Sequence, residues 1–131
     1  MKPISVTCGI VVKDGKVLAA QRSEKMSLPL KWEFPGGKLV EGESEIACLQ
    51  RELLEELNIS VSIKERLSVS VHDYGNFVIS LIPFLVEYIG GEIVLLEHER
   101  VGWFTMEELR ALDWAPADIP VLDEVLRRCG E

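Results

Sequence analysis

The sequence predicts an α+β fold in which helices pack against a mixed β-sheet. Apolar, β-branched runs typical of strands are mixed with helical patterns, without the regular alternation of a βα repeat. The 13 residues from Glu45 to Leu57 contain no Gly or Pro, and Ile46, Leu49 and Leu53 recur there at helical spacing. A helix with one apolar face needs a sheet or another helix to cover it.

The N-terminal part of the chain predicts a β-hairpin followed by a loop. Residues 4–12 and 17–22 are two apolar runs separated by Asp14-Gly15, a pair that favours a tight turn between antiparallel strands. Residues 23–31 have little periodicity and include Pro29, which predicts a loop. A short strand at 32–34 then leads into the Glu45–Leu57 helix.

The C-terminal half predicts further strands and two more helical segments. Residues 60–72 and 77–88 are rich in Val and Ile and predict two antiparallel strands of the central sheet. Pro83 indicates an edge position or a bulge in the second of them, because proline has no N–H for the ladder. The remaining elements are a strand at 101–104, a helical turn capped by Thr105, and a helix from about 117 to 128 with Val121, Leu122, Val125 and Leu126 as its buried stripe.

Length, charge and cysteine content limit the classes of function. A chain of 131 residues with 47% hydrophobic residues predicts one domain over residues 1–131. Its net charge of −8 argues against binding a nucleic-acid polymer, and no apolar run approaches the roughly 18 residues that span a membrane. Cys8, Cys48 and Cys129 have no metal-ligand spacing, so we expect reduced thiols in a cytoplasmic protein.

Carboxylates are concentrated on one face of the 45–57 helix. Glu52, Glu55 and Glu56 stand at i, i+3 and i+4, and the like-charge pair at i, i+4 costs about 0.2–0.5 kcal/mol. These anions also occupy the C-terminal half, where the helix dipole is unfavourable to them. A divalent cation such as Mg²⁺ or Mn²⁺ compensates such a cluster, and an ordinary solvated acidic face is the alternative.

The segment before this helix strengthens the metal interpretation. Gly36-Gly37 after Pro35 allows a tight turn with backbone groups close to a ligand. Together with the helix, the segment resembles the signature of the Nudix hydrolases, apart from Asn58 where the family has Gly. Asn tolerates the left-handed conformation that often ends a helix, so this departure is mild. The positions that match the signature are Gly37, Glu43, Arg51, Glu52, Leu53, Glu55, Glu56 and Ile59.

The resemblance implies an α/β/α sandwich around a mixed sheet and a metal-dependent hydrolysis of phosphoanhydride bonds. It assigns the metal, Mg²⁺ or Mn²⁺, to Glu52, Glu55 and Glu56 with the carbonyl of Gly36. It also implies structural roles for Gly37, Glu43 and Arg51, with Arg51 pairing to Glu43 so that the loop is held against the helix.

The resemblance also places a catalytic carboxylate in the loop before Trp103. It favours Glu97 as a further metal ligand or base, with Glu99 as the alternative. We expect His98 between them to be a surface residue, and His72 to be an ordinary strand residue.

Two segments are similar to the MutT-like branch of the family, which acts on nucleoside triphosphates. In that branch Arg22 and Lys38 would contact phosphates, and Asp118 would read the base. A helix N-cap is the alternative for Asp118. Phe34 and Trp114 would stack on the base or pack in the core.

The implied activity is Mg²⁺-dependent hydrolysis of a nucleoside triphosphate to the monophosphate and pyrophosphate, in nucleotide-pool sanitation. Residues 112–120 look most similar to the CTP pyrophosphohydrolase subgroup and almost as similar to 8-oxo-dGTP diphosphatases, so CTP and modified (d)NTPs are the expected substrates. Another nucleoside-diphosphate-linked substrate and a non-catalytic nucleotide-binding module are the alternatives. The expected partner is a small-molecule nucleotide, and the expected assembly is a monomer or homodimer.

Overall fold

The computed structural model describes residues 2–129, apart from the side chain of Cys129, and these residues form a mixed sheet covered by helices. The strands are β1 (Ile4–Lys13), β2 (Lys16–Gln21), β3 (Trp32–Glu33), β4 (Gly36–Lys38), β5 (Ser60–Arg66), β6 (Ser70–Asp73), β7 (Val78–Gly90) and β8 (Arg100–Phe104). The α-helices are α1 (Glu45–Leu57), α2 (Met106–Arg110) and α3 (Ile119–Cys129), and a 3₁₀ turn over Pro116–Asp118 precedes α3.

The sheet is mixed, as predicted. Strands β1 and β7 run parallel from Ile4↔Ile79 to Val12↔Glu87, whereas every other described strand pair is antiparallel. The main path through the sheet is β3-β2-β1-β7-β5, with β4 on β1, β6 on β7 and β8 on β2.

Strands β1 and β2 separate soon after their hairpin, and this opening positions the site. They pair at Val12↔Val17 and Lys13↔Lys16, next to the Asp14-Gly15 turn. Beyond that point β3 pairs with β2 while β4 pairs with β1. The connecting residue Pro35 accepts a hydrogen bond from Gly9 N at 2.8 Å. The segment between β3 and β4 therefore crosses the gap between β2 and β1.

The predicted loop at Gly36-Gly37 is a strand, and the prediction of a tight turn was wrong. Both glycines lie in β4, at the register Thr7↔Gly37 and Cys8↔Gly36. A Cβ added at Gly36 would stand 2.0 Å from Thr7 O. Close approach of neighbouring groups, and not a positive φ, is therefore the reason for glycine here.

Alternate residues of the strands face two separate cores, which makes the fold an α/β/α sandwich as implied. Ile10 and Val17 pack with α2 and α3, while their neighbours Val11 and Leu18 pack under α1. This alternation follows from the two-residue period of a strand, which buries both faces of a sheet when each is covered by helices.

Helix α1 begins and ends where local signals predict. The side chain of Ser44 accepts from Ala47 N, and Asn58 ends the helix at φ 61° and ψ 36°, the left-handed conformation expected of it. Leu49 and Leu53 are fully buried, and each contributes about 1.5–3 kcal/mol by leaving water. Ile46 is 45% exposed and lies off this apolar face.

The edge position predicted from Pro83 was wrong, because β7 is an interior strand. It pairs with β1 on one side and with β5 and β6 on the other. Pro83 lies opposite the break between β5, which ends at Arg66↔Phe84, and β6, which begins at Ser70↔Leu81. Its missing N–H therefore falls where the second neighbour is interrupted, and its carbonyl accepts from Leu67 N at 2.8 Å.

The C-terminal helices close the second core. Thr105 forms a complete capping box with Glu108 at the start of α2. Val121, Leu122 and Val125 are buried, and Leu126 packs against the same core, as predicted. Cys8 and Cys48 are free thiols, while the thiol of Cys129 lies outside the described residues. None of the helices in residues 2–129 has the length and apolar character needed to cross a membrane.

Candidate active site

A cavity of about 740 Å³ lies at the opening between β1 and β2. One side is apolar, with residues of β1 and β7 such as Val6, Ile79 and Leu81. The cavity is also lined by carboxylates from four separate segments of the chain. These are Glu33, Glu52, Glu56, Glu97 and Asp118. An anionic ligand can occupy such a cavity only if cations accompany it.

Glu52 lies directly against Gly37. A Cβ added at Gly37 would stand 2.1 Å from Glu52 Cδ and within 2.5 Å of both carboxylate oxygens. Burial raises the pKa of Glu52, although Arg51 opposes the shift through a contact of 3.2 Å to Oε2. The glycine thus provides the space in which this carboxylate faces the β4 backbone.

Glu56 carries a buried oxygen that lacks a partner. Its Oε2 has no hydrogen-bond partner among the described residues. Burial raises the pKa of Glu56, and the charges of Glu97 and Glu52 raise it further. A buried, unpartnered carboxylate oxygen is costly, and a cation bound beside it would remove the cost.

Arg51 links the helix to the segment that follows β4. Its Nε and one terminal nitrogen donate to the two oxygens of Glu43 at 2.7 and 3.0 Å, a fork that only arginine can form. The other terminal nitrogen donates to Glu52 at 3.2 Å and to Glu55 at 3.1 Å. The hydrogen bonds from Arg51 lower the pKa of the Glu43 carboxyl group.

Glu55 differs from the other two helical carboxylates because it lies outside the cavity lining. It is exposed, pairs with Arg51 and does not line the cavity. Within residues 2–129, no three His, Cys, Asp or Glu side chains already converge as a metal cage. Binding a cation with all three helical glutamates therefore requires Glu55 to leave Arg51.

The loop before β8 brings Glu97 into the cavity and leaves Glu99 out. Glu97 lines the cavity together with the backbone segment Gly36-Gly37 and the exposed Lys38. Glu99 N donates to Gln21 O at 2.8 Å, which anchors the loop to the end of β2. Of the two carboxylates considered for this loop, the cavity contains Glu97.

Arg22 and Glu33 form an ion pair at the side of the cavity, with a distance of 2.8 Å between an Arg22 terminal nitrogen and Glu33 Oε1. Arg22 also donates from Nε to Ser27 O at 2.6 Å. The other oxygen of Glu33 lies 2.8 Å from His98 Nε2. The expectation that His98 is a surface residue was wrong, since its side chain is 6% exposed.

Sequence reasoning missed this contact between Glu33 and His98. The two residues are 65 positions apart, so no local pattern predicts their meeting. The one available signal is that each neighbours a predicted site residue, Phe34 or Glu97. His72, in contrast, lies on β6 against the ring of Tyr74 and outside the cavity lining.

Asp118 lines the cavity from the 3₁₀ turn before α3 and is 5% exposed. Its Oδ2 accepts from Phe34 N at 2.9 Å, and no described N–H of α3 donates to it as an N-cap bond would require. Burial raises the pKa of Asp118 well above its usual range, and the charge of Glu33 adds to the shift. Contacts of Ala117 with Tyr74 Oη and Ser70 Oγ fix the turn that carries Asp118.

The two aromatic candidates have different positions. Phe34 lines the cavity. Trp114 packs behind it with ring centroids 4.5 Å apart, and its Nε1 donates to Leu109 O at 2.8 Å. Trp114 therefore belongs to the core and supports Phe34 from behind.

Comparison with known proteins identifies the family. A family model described as the NUDIX domain matches residues 1–125. The chain belongs to the Nudix family. This match confirms the resemblance carried by the α1 motif, at the level of the family and its hydrolase class. Nudix hydrolases generally use a divalent metal ion.

Curated relatives of this Nudix protein include two from Escherichia coli strain K12. A protein named CTP pyrophosphohydrolase is 37% identical over 123 residues, which cover 94% of this chain and 91% of the relative. A protein named 8-oxo-dGTP diphosphatase is 30% identical over 131 residues, which cover 97% and 99% of the two chains.

Solved structures confirm the fold. The solution structure of the E. coli ORF135 protein matches with a TM-score of 0.83 at 36% identity, covering 97% of this chain and 92% of that one. The MutT Nudix hydrolase from Burkholderia pseudomallei matches with a TM-score of 0.86 at 27% identity, covering 95% and 99%.

Proposed function

We propose that this Nudix hydrolase converts a nucleoside triphosphate to the monophosphate and pyrophosphate, with Mg²⁺ as the working cation and CTP or a modified (d)NTP as substrate. The observation that carries the proposal is the unpartnered, buried Oε2 of Glu56 beside Glu52 and Glu97 in a cavity that also contains Arg22 and Lys38. Carboxylates at one end and cations near the same opening fit a metal-bridged polyphosphate.

The proposed metal ligands are Glu52, Glu56 and Glu97, with the Gly36 carbonyl and with Glu55 once it leaves Arg51. The residues present fit a hard divalent cation, because they supply oxygen ligands and one of these is buried without a partner. When bound, such a cation neutralises phosphate charge and lowers the pKa of a coordinated water.

The protein's own residues would orient the substrate around that centre. Lys38 on β4 and Arg22, which both line the cavity, would contact the phosphate chain, and Arg22 is already oriented by Glu33. Hydrolysis breaks the anhydride bond between the α- and β-phosphorus atoms: water oxygen bonds to one of them, and the phosphate on the other side leaves with the bonding electrons, as pyrophosphate after attack at the α-phosphorus or as the monophosphate after attack at the β-phosphorus. A carboxylate at the α1 end of the cavity would accept the proton that water loses.

The base would lie between Phe34 and Asp118, which are joined by the bond from Phe34 N to Asp118 Oδ2. The ring of Phe34 offers a stacking surface, and the buried carboxyl group of Asp118 offers a polar edge. Because its pKa is raised, Asp118 has access to a protonated form that donates as well as an ionised form that only accepts. Cytosine and an oxidised purine each present hydrogen-bonding groups that one of these two forms of Asp118 can pair with.

The deciding experiment is a product assay with Mg²⁺ on CTP, dCTP, 5-methyl-dCTP, 8-oxo-dGTP and dGTP. We expect cytidine nucleotides to be turned over to monophosphate and pyrophosphate, as the name of the 37% identical relative suggests. Preference for 8-oxo-dGTP would favour the activity named for the second relative. If none of the five nucleotides is hydrolysed, the proposal is contradicted. That result would favour another nucleoside-diphosphate-linked substrate or a protein that only binds nucleotides. A parallel Mn²⁺ series tests the choice of metal.

A further inference from the structure

Besides Glu56 Oε2, the cavity contains a second buried polar atom, His98 Nδ1, which is not among the proposed metal ligands. His98 Nδ1 is buried and has no hydrogen-bond partner among the described residues. The ring is oriented by its own Nε2, which lies 2.8 Å from Glu33 Oε2, and the loop that carries it is anchored by the bond from Glu99 N to Gln21 O at 2.8 Å. A fixed ring with one unpartnered nitrogen lining a cavity is a site for a ligand atom.

The other ring nitrogen determines what that ligand atom must be. Nε2 lies 2.8 Å from Glu33 Oε2, and the second oxygen of the same carboxylate accepts from Arg22 at 2.8 Å. A carboxylate paired with a guanidinium only accepts, so Nε2 is the nitrogen that carries hydrogen. In a neutral imidazole with Nε2–H, Nδ1 is an acceptor and needs a donor.

No residue that the structure describes supplies this donor, since the cavity cations Arg22 and Lys38 make no hydrogen bond to Nδ1. The carboxylates of Glu33, Glu56 and Glu97, which line the same cavity, are themselves acceptors when ionised. Phosphate oxygens are acceptors as well. Sugar hydroxyls and the amino group of a base are donors, and His98 lies between the acidic end at Glu56 and the Glu33 carboxylate that acts on Asp118.

We propose that His98 is a substrate-recognition residue whose Nδ1 accepts a hydrogen bond from the nucleoside part of the substrate, while its Nε2 orients Glu33. The inference rests on the proposed nucleotide function but concerns a different contact from the metal site. The donor is a sugar hydroxyl or a base amino group.

Two substitutions separate the two nitrogens. His98→Asn keeps a polar amide near the position of Nδ1 and loses the bond to Glu33, whereas His98→Gln keeps a donor near Nε2 and loses the acceptor at Nδ1. We expect His98→Gln to raise KM by about 2- to 10-fold with little change in kcat, the loss of one hydrogen bond made equally in ground and transition states. His98→Asn should raise KM less. His72→Gln, which changes the only other histidine and lies outside the cavity, is the matched control.

A direct readout needs no turnover. Long-range ¹H–¹⁵N spectra of the labelled protein contain only two imidazoles, those of His72 and His98. We expect the free protein to show His98 as the Nε2–H tautomer, and CMP or dGMP to shift Nδ1 of His98 but neither nitrogen of His72. Comparing CMP with 2′-deoxy-CMP identifies whether a 2′-hydroxyl is the donor.

The contrary outcomes are distinct. An equal shift of Nδ1 with Mg²⁺ alone or with pyrophosphate alone would assign the nitrogen to metal-bound water or to the phosphate end and overturn the proposal. So would an unshifted Nδ1 in the presence of these nucleotides, or a larger KM change in His98→Asn than in His98→Gln. Failure of the proposed hydrolysis would appear separately, as absent turnover in a protein whose Nδ1 still responds to CMP or dGMP.

Discussion

Gly37 and Glu52 occupy neighbouring space so closely that residue 37 has no room for a side chain: a Cβ there would stand 2.1 Å from Glu52 Cδ. The motif glycine and the motif glutamate are therefore a single packing unit. The glycine is 15 positions before the glutamate in the chain, and β4 and α1 bring them together.

Gly37→Ala should reduce activity far more than stability. The new methyl group would displace only the end of the Glu52 side chain, which can rotate away, so we expect turnover to fall by at least about tenfold with a small change in the free energy of unfolding. Gly36→Ala is the matched control, because its Cβ would meet the Thr7 backbone oxygen at 2.0 Å and the sheet must deform. Urea unfolding and turnover of both variants test this; equal stability losses would contradict it.

Glu56→Gln should abolish most activity without destabilising the metal-free protein. The amide removes a buried carboxylate whose charge is disfavoured by burial and by Glu97, so the free energy of unfolding without metal should be unchanged or higher. Turnover should fall by about 10²- to 10³-fold if the carboxylate holds the metal at the reacting phosphate. Mg²⁺ should raise the Tm of the wild-type protein and not that of the variant. Wild-type turnover in a folded variant would remove Glu56 from the metal site.

Arg51→Lys should raise the Mg²⁺ concentration needed for half-maximal activity. Lysine cannot reproduce the fork to Glu43 or hold Glu52 at the same time, so the carboxylates facing the cavity lose their orientation. Arg66→Lys is a matched control, because Arg66 forms a similar fork with Glu45 on the same helix, away from the cavity. An equal effect of both substitutions on the Mg²⁺ titration would show that the Arg51 contacts serve stability alone.

Asp118→Asn should change how stability depends on pH. The folded-state pKa of Asp118 is raised above its unfolded value of about 4, so the native state holds the proton more tightly than the unfolded chain. The wild-type free energy of unfolding should therefore fall relative to the variant as pH rises from about 4 through the raised pKa. Urea unfolding of both proteins between pH 4 and 8 measures the difference. Parallel curves would show that Asp118 titrates normally.

The same substitution should alter base preference. If Asp118 contacts the base, the ratio of kcat/KM for cytidine and guanine nucleotides should shift in Asp118→Asn by about tenfold, the value of one hydrogen bond to a charged or protonated group. An unchanged ratio with lowered stability would limit Asp118 to its contact with Phe34 N.

Local physics explains which parts of the fold and site are predictable from sequence. The α1 carboxylates follow from the 3.6-residue period, and the Ser44 and Asn58 caps lie within five residues of the groups they serve. The Thr105 cap is equally local. The edge alternative for Pro83 was wrong because the residue is tolerated opposite an interruption between β5 and β6, which no pattern within β7 reveals.

By itself, the sequence determined the family, the mixed α+β class and the identity of the acidic helix, because each depends on spacing along one continuous segment. Only the tertiary structure decided how that helix is used. It leaves Glu55 outside the cavity that Glu52 and Glu56 line, buries Asp118 against Phe34, and brings His98 to Glu33. The last two are contacts between residues 84 and 65 positions apart, and they depend on how β1 and β2 separate and on what the chain places in the opening.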